Sequence, residues 1–335
     1  MVSCRVAKPL QLVDTRLLIQ ETTAFDAGQL GFIARILAQA GLPYNDPGPA
    51  VHVYERRNGR FTLRLVSHAG IPYGNIPRIL LAFACTEAVR TKSPQIQLGK
   101  NLCTFLRDKL HLPVSGGPRG SIRRVKFQAY RLFSAQISVS KEYTAGNEGR
   151  LSERYMNISE GMDLAWWSPH NCSQDALWES EIKLSQLFFE EVSKSPVPID
   201  WRAVAVLKNS ALALDLYFWL THRMKYLKET TIIPWFGETG LYGQLGSGCR
   251  DDHKGRFTFR KNTCAALAQV LAVYTDARVE STGTGLVLRP SPTHVVALSS
   301  TAYADETTTD KLTPAQRSQK FNARVQDLVT QATLL

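Results

Sequence analysis

Five cationic side chains between residues 119 and 131 are the best candidates for a chemical role in this sequence. No aspartate or glutamate lies among them, so they predict an anionic ligand from outside the chain. Arginine and glutamine can hydrogen-bond base edges in the major groove of DNA, while neighbouring cations hold phosphates. The candidate DNA-binding residues of this first cluster are Arg119, Ser121, Arg123, Arg124, Lys126, Phe127, Gln128 and Arg131.

A second basic cluster follows a polar turn at residues 246–252. It occupies the first two turns of a predicted helix, which is the part of a recognition helix that contacts bases. Its members are Lys254, Arg256, Thr258, Arg260, Lys261 and Asn262. A solvated basic face explains either cluster equally well, but two similar arrangements in one chain favour contact with DNA.

Three predicted helices position the first cluster. The first follows turn residues 72–77, the second runs from near Gly99 to Pro113, and the third follows the glycine-rich loop 115–120. At about 100° per residue the third helix separates into two faces. Its predicted core face carries Val125, Ala129, Leu132 and Phe133, and its predicted outward face includes Arg123, Arg124, Phe127, Gln128 and Arg131. This order is typical of a helix-turn-helix.

A hairpin is predicted after the third helix, with residues 143–150 as the loop between its strands. In a winged helix such a hairpin is the wing, and Lys141 and Arg150 would then contact the DNA backbone. A solvated loop is an equally good interpretation.

The same order of elements recurs after residue 200. Helices are predicted over 201–207 and 211–227, a strand over 231–233, a helix over 236–245, and the basic helix over 254–274. A hairpin at 277–281 and 286–290 would be the second wing. The predicted inner side of the basic helix carries Phe257, Cys264, Leu267, Ala268 and Leu271.

The predicted fold class is therefore α+β, with two tandem winged-helix domains and a small N-terminal helix/hairpin extension. The extension covers residues 1–67, with a helix at 29–39 and a hairpin at 51–66 that packs on the first domain or supplies a dimer contact. The domains cover 68–195 and 196–296, joined at the proline-stiffened stretch 195–198. A linker and C-terminal helix complete the chain at 297–335.

Composition agrees with a polyanionic partner. The 335 residues carry a net charge of +11 and a pI near 9.4, which favours nucleic acid or an anionic membrane surface. No apolar run approaches the roughly 18 residues that a membrane span needs, and residues 1–16 lack a signal-peptide core. We expect a cytoplasmic protein with no membrane partner.

No pattern for catalysis, metal binding or cofactor binding is found in the sequence. The glycine-rich stretch 237–248 lacks the lysine of a phosphate-binding loop, and no paired histidines precede a nicking tyrosine. The six cysteines are scattered, and Cys249, Asp251, Asp252 and His253 are adjacent rather than spaced as metal ligands. We expect no catalytic residue, no metal and no cofactor, hence a protein that binds and deforms DNA rather than an enzyme.

Short motifs between residues 68 and 290 carry a resemblance to a known family. They are Pro72-Tyr73-Gly74, Ile76-Pro77-Arg78, Thr86-Glu87-Ala88-Val89-Arg90-Thr91-Lys92-Ser93, Leu98-Gly99, Gly116-Gly117, Gly120-Ser121-Ile122, Leu212-Ala213-Leu214-Asp215-Leu216-Tyr217, Trp219-Leu220 and Gln244-Leu245-Gly246. In these motifs the sequence resembles the RepA-type, iteron-binding initiators of theta-type plasmid replication.

The resemblance implies several partners and activities. They are binding of double-stranded DNA at directly repeated origin sites, melting of the adjacent duplex, recruitment of the host initiator protein and the replicative helicase, and a homodimer that represses its own gene. Two other functions stay open. A transcriptional repressor on the same scaffold would bind one inverted repeat, and a rolling-circle nickase is disfavoured by the missing histidine pair.

Overall fold

The structure, a computed structural model, describes residues 17–39, 41–145, 148–164, 180–246 and 249–295. Helices and strands mix throughout these ranges, so the α+β class is confirmed. The predicted linker and C-terminal helix at 297–335 lie outside the described residues.

Besides helical residues at 17–21, twelve elements precede residue 185 in the described part of the chain. They are β1 (Leu30–Ala34), α1 (Arg35–Gln39), β2 (Val53–Asn58), β3 (Phe61–Val66), α2 (Asn75–Thr91), β4 (Gln95–Gly99), α3 (Leu102–Thr104, continued by a π-helical turn, Phe105–Lys109), α4 (Ser121–Phe133), β5 (Gln136–Ala145), β6 (Glu148–Asn157), β7 (Ser159–Asp163) and β8 (Ser180–Leu184).

Nine further elements follow within the described residues. They are α5 (Gln186–Lys194), β9 (Pro196–Asp200), α6 (Trp201–Leu207), α7 (Ala211–Met224), β10 (Thr231–Pro234), α8 (Leu241–Leu245), α9 (His253–Val273), β11 (Val279–Ser281) and β12 (Gly285–Leu288).

Two parts of the chain repeat one topology. The first unit runs α2, β4, α3, α4, β7 and β8, and its three strands pair in the order β4-β8-β7. The second unit runs α7, β10, α8, α9, β11 and β12, and its strands pair in the order β10-β12-β11. Consequently α4 and α9 occupy equivalent places. Helix α9 comes directly before the closing hairpin of its unit, whereas an insertion separates α4 from the closing hairpin of the first unit.

That insertion is the hairpin β5–β6, which was predicted to be the first wing. It pairs instead with the N-terminal hairpin in a four-stranded sheet of order β2-β3-β5-β6. The reason is apolar alternation, because Leu63 and Leu65 of β3 lie opposite Val139 and Ile137 of β5, and all four are buried. The N-terminal hairpin thus packs on the first unit, and β7–β8 takes the position expected of the wing.

The predicted helix over residues 29–39 is only half correct. Residues 30–34 form β1, which pairs antiparallel with β9, and the helix begins at Arg35. This ladder supplies backbone partners and buries Phe32 and Ile33, so tertiary pairing overrides the helical pattern. The stretch 195–198, predicted to be a joint between domains, therefore contributes its prolines to a strand.

The positions of the helices around the candidate site were predicted, but not all of their lengths and faces. Helix α2 buries Ile76, Ile79, Leu80, Phe83 and Ala84, and its C-cap is Lys92, in the left-handed conformation, before Pro94. Helix α8 is shorter than predicted, because residues 236–240 form turns around Gly237, whose φ is 100°. The predicted inner side of α9 is wrong except at Leu267, because Phe257 and Ala268 are exposed and Cys264 and Leu271 are only partly buried. The inner side carries Phe259, Thr263, Ala266, Leu267 and Val270.

Candidate nucleic-acid interface

Helix α4 begins where the sequence predicted, after the glycine-rich loop. Ser115 and Ser121 exchange hydrogen bonds, since the Ser121 hydroxyl accepts from the amide of Ser115 at 2.9 Å and the Ser115 hydroxyl accepts from the amide of Ser121 at 3.0 Å. A Cβ on Gly120 would collide with the Gly116 carbonyl, so that position requires glycine. Arg119 is exposed in this loop.

The outward face of α4 carries Arg123 and Phe127. Arg123 is exposed, and the Phe127 ring is 43% exposed. Lys126 lies at the border of this face and is partly buried. The face therefore presents a cation and an aromatic ring one helical turn apart.

The predicted outward position of Gln128 and Arg131 is wrong. Both side chains are buried, because the segment 71–73 covers this side of α4. The Gln128 side-chain oxygen accepts from the amide of Tyr73 at 2.9 Å, and Arg131 donates to the carbonyl of Ile71 at 3.1 Å. The Arg131 guanidinium also lies 4.1 Å from the Phe127 ring centroid. Both residues thus bond to segment 71–73, and Arg131 also packs on Phe127.

Arg124 is exposed but turns toward the start of α2. Its Nη2 atom donates to the side-chain oxygen of Asn75 at 3.3 Å. This contact places Arg124 at a cleft between the two units.

Helix α9 begins at a side-chain cap. The Asp252 carboxylate accepts from the amide of Gly255 at 2.6 Å, and no acidic residue follows within the helix. The outward face carries Lys254, Phe257 and Lys261, spaced three and four residues apart, all exposed. Thr258 is also exposed, and its hydroxyl donates to the Lys254 carbonyl at 2.8 Å.

The two arginines of α9 are exposed but contact the protein. Arg256 pairs with Asp251 at 2.7 Å, and its guanidinium lies 5.3 Å from the Phe236 ring centroid. Arg260 donates to the carbonyl of Thr282 at 3.2 Å and lies over the Trp235 ring. Since Thr282 belongs to the turn between β11 and β12, Arg260 holds that turn against α9.

A cleft of about 440 Å³ separates the two helices. Arg124, Phe127 and Gln128 line it from α4, and Phe259 and Asn262 line it from α9. The starts of α2 and α7 contribute Asn75 and Asn209 to the same cleft. Both predicted recognition helices therefore border the same cleft, whose lining mixes polar and apolar side chains.

Burial shifts the proton equilibria of two groups at this cleft. Burial raises the pKa of the Tyr73 hydroxyl, and the nearby Asp46 carboxylate raises it further. Burial likewise raises the pKa of the Cys249 thiol. Both groups are therefore neutral near pH 7, which leaves the cleft's charge to Arg124.

The described residues contain neither a metal-ligand cluster nor a membrane-spanning helix. Over residues 17–295 with their gaps, no group of three histidine, cysteine or acidic side chains could hold a metal ion. Within the same ranges, every helix is too short or too polar to cross a membrane.

Comparison with known protein families gives a match in sequence. Residues 71–236 match the model of the family described as plasmid encoded RepA protein. Residues 71–236 belong to the RepA family of plasmid replication initiators. The RepA segment begins just before α2, contains α4 entire, and ends after β10, so α9 lies beyond it. No curated protein matches the sequence.

Two solved structures resemble the fold at low similarity. The crystal structure of selenomethionine derivatives of domain 2 and domain 3 of RctB has a TM-score of 0.44 to this chain and 12% sequence identity. The match covers 78% of this chain and 98% of that one. A second structure, of RctB domains 2-3, has a TM-score of 0.41 and 13% sequence identity, and the match covers 74% of this chain and 95% of that one.

Sequence reasoning missed three residues near this candidate interface. Phe257 was assigned to the core, and Trp235 and Asn75 were not singled out. The signal for Phe257 was present, because residues 257 and 259 point about 200° apart on a helix and only one can face the core. The apolar residues Ala266 and Val270 continue the face of Phe259 at helical spacing and identify Phe259 as the inner one.

Proposed function

We propose that this chain initiates replication of the plasmid that encodes it, by binding repeated origin DNA through α4 and α9. The observation that carries the proposal is the RepA family match over residues 71–236, which contains the whole of α4. The basic, acid-free outward face of that helix supports it, and so does the equivalent face of α9.

The repeated topology supports two winged-helix domains. Helix, strand, two helices and a closing hairpin, with the third strand between the other two, is the order of a winged helix, and it occurs twice. On this proposal α4 and α9 enter the major groove, while β7–β8 and β11–β12 contact the adjacent backbone.

The exposed side chains divide by chemistry. Arg123 can make a two-point contact to guanine, whereas Lys254 and Lys261 act as point charges toward phosphates. Because both helices belong to one chain, binding by the first raises the effective concentration of the second at the DNA. The chain then acts by binding and deforming DNA, with no catalytic step of its own.

The later steps follow from the family. They are melting of the duplex beside the repeats, recruitment of the host initiator protein and replicative helicase, and repression of the chain's own gene by a homodimer. Each of these is part of the proposal.

The experiment combines footprinting with a chemical probe of open DNA. The full chain is incubated with supercoiled plasmid that carries its own gene and the flanking direct repeats, and unpaired thymines are mapped with permanganate. The proposal predicts protection of the repeats together with new permanganate reactivity beside them. Protection of a single inverted repeat without reactive thymines would instead identify a repressor.

Lys194→Ala provides a matched control for variants at the interface. Lys194 is an exposed cation at the end of α5. Within the described chain its one ion pair is with Glu190, one turn earlier. The Lys194→Ala variant should protect the repeats and open the plasmid as the wild type does. The variants Arg123→Ala and Lys261→Ala should protect the repeats less and open less DNA.

A further inference from the structure

Phe257 lies on the exposed face of α9. The ring is 64% exposed, whereas Phe259, two residues later, is 1% exposed and fills the core. Lys254 precedes Phe257 by three residues and Lys261 follows it by four, so both cations lie on the same face as the ring. The fold therefore presents an apolar ring between two cations.

The protein itself makes little use of this ring. Among the residues that the structure describes, no aromatic ring or guanidinium packs on Phe257. Its counterpart on α4, Phe127, is less exposed at 43% and is covered by the Arg131 guanidinium at 4.1 Å. Phe257 thus keeps a bare apolar surface where a ligand of α9 would lie.

We propose that Phe257 contacts the 5-methyl group of a thymine in the major groove and so helps to determine which DNA sequence the chain prefers. This inference rests on the proposed function, since it requires α9 to enter the major groove. Phenylalanine has no donor or acceptor with which to read a base edge. Thymine's methyl group is the apolar feature of the major groove, and phenylalanine is one of the side chains that contact it.

The neighbouring residues fit this role. Lys254 and Lys261 can hold phosphates on either side of the ring, which sets the depth of α9 in the groove. The absence of acidic residues from His253 to Val273 allows that approach without repulsion. Phe257 would then add sequence preference to a helix whose other outward cations mainly contribute affinity.

The test removes the methyl group from the DNA and the ring from the protein. A short duplex is selected by the wild-type chain from a random-sequence pool, and each thymine of its protected region is replaced in turn by deoxyuridine, which lacks only the methyl group. We expect one or two positions at which uracil weakens wild-type binding by about three- to tenfold.

The variant Phe257→Ala should bind the thymine duplex more weakly by a similar factor and should no longer respond to uracil at those positions. Ile232→Ala, which truncates another exposed apolar side chain of the second unit, should retain the wild-type response. Since Phe257 is exposed, its truncation should leave the thermal unfolding midpoint unchanged.

Two results would overturn the inference while leaving the proposed function intact. One is a wild-type chain that binds the selected duplex but whose affinity does not change when any thymine is replaced by deoxyuridine. The other is a Phe257→Ala variant that still discriminates thymine from uracil as the wild type does. A wild-type chain that selects no sequence at all would overturn the proposed function, and this inference with it.

Discussion

Arg78 and Asp215 form a buried two-point ion pair that joins the two repeated units. Nε and Nη2 of Arg78 each lie 2.6 Å from a carboxylate oxygen of Asp215, and the two side chains are 2% and 4% exposed. Arg78 lies on α2 and Asp215 on α7, the equivalent helices of the two units. Arg78 also donates to the carbonyls of Leu42 and Gly74, so the N-terminal segment is held at the same point.

Asp215→Asn should strongly destabilise the chain, because it leaves the Arg78 charge buried without a counter-charge. We expect a loss of about 3–5 kcal/mol in the free energy of unfolding, measured by urea titration. Asp108→Asn provides the control, since it breaks the exposed pair with Arg107 and should leave stability close to wild type. Similar losses in the two variants would contradict a central role for the pair.

Gly41→Ala should destabilise the chain through the same ion pair. A Cβ on Gly41 would collide with the Asp215 carboxylate, which Arg78 holds in place. We expect a loss of about 1–3 kcal/mol, as for other forced insertions into a packed interior. At Gly116 a Cβ would meet nothing within 4 Å, so Gly116→Ala should change stability by no more than about 0.5 kcal/mol. Equal effects at the two glycines would show that Asp215 can move aside.

Two arginines of α4 should behave in opposite ways. Arg131→Ala leaves the buried Ile71 carbonyl without its donor, so stability should fall by about 1–3 kcal/mol. Arg123→Ala removes an exposed side chain, so the unfolding midpoint should stay constant while DNA affinity falls. Differential scanning calorimetry and fluorescence anisotropy on the same samples measure both quantities. Unchanged stability in Arg131→Ala would refute its structural role.

Arg260→Ala should loosen the turn between β11 and β12. The Thr282 carbonyl would lose the Arg260 donor and keep the Trp235 indole N–H, at 2.9 Å. We expect faster hydrogen exchange at the amides of Trp235 and Thr282, which bond to Thr284 and Gly285 across the turn. Lys261→Ala, one residue along the helix, should leave exchange there unchanged. Equal acceleration in both variants would argue against a specific tether.

His222 should make stability depend on pH below neutrality. Burial lowers the pKa of His222 to about 4, and the charges of Arg35, Arg223 and Lys225 act in the same direction. In the unfolded chain an imidazole titrates near pH ~6.5, so between about pH 6.5 and 4 the unfolded state binds more protons. This contribution is therefore complete above about pH 6.5 and is lost as pH falls toward 4.

His222→Gln should flatten the stability profile in that window. The measurement is the difference in unfolding midpoint between wild type and variant at a series of pH values, with the exposed His253→Gln as the control. A difference that is independent of pH would contradict the assignment.

The sequence allowed the helices of the interface to be predicted, because their information is local. Helix α4 follows from its glycine-rich loop and from the spacing of Val125, Ala129 and Leu132. The pairing of strands from distant segments could not be predicted from the sequence. Nothing local to residues 30–34 indicates a strand partner in β9, or the β3 ladder that takes β5 away from the wing position.

The predicted direction of two side chains on α4 was wrong for a related reason. Gln128 and Arg131 lie on the polar arc of α4, but segment 71–73 covers that arc, and its carbonyl and amide groups satisfy both side chains. Likewise, the motifs that contain Arg78 and Asp215 were both recognised in the sequence, yet no spacing indicates that the two charges meet. Polar residues that bond to distant backbone resemble surface residues until the fold is known.

Equilibrium binding of wild type, Arg123→Ala, Lys261→Ala and Lys194→Ala across a salt series tests the interface most directly. The selected duplex and a random duplex of the same length serve as probes. We predict that Arg123→Ala loses about 1–3 kcal/mol on the selected duplex with little change on random DNA. Lys261→Ala should weaken binding to both and reduce the salt slope by about 1, while Lys194→Ala binds as wild type. Wild-type affinity in both interface variants, with DNA binding intact, would place the DNA on another surface and contradict the account.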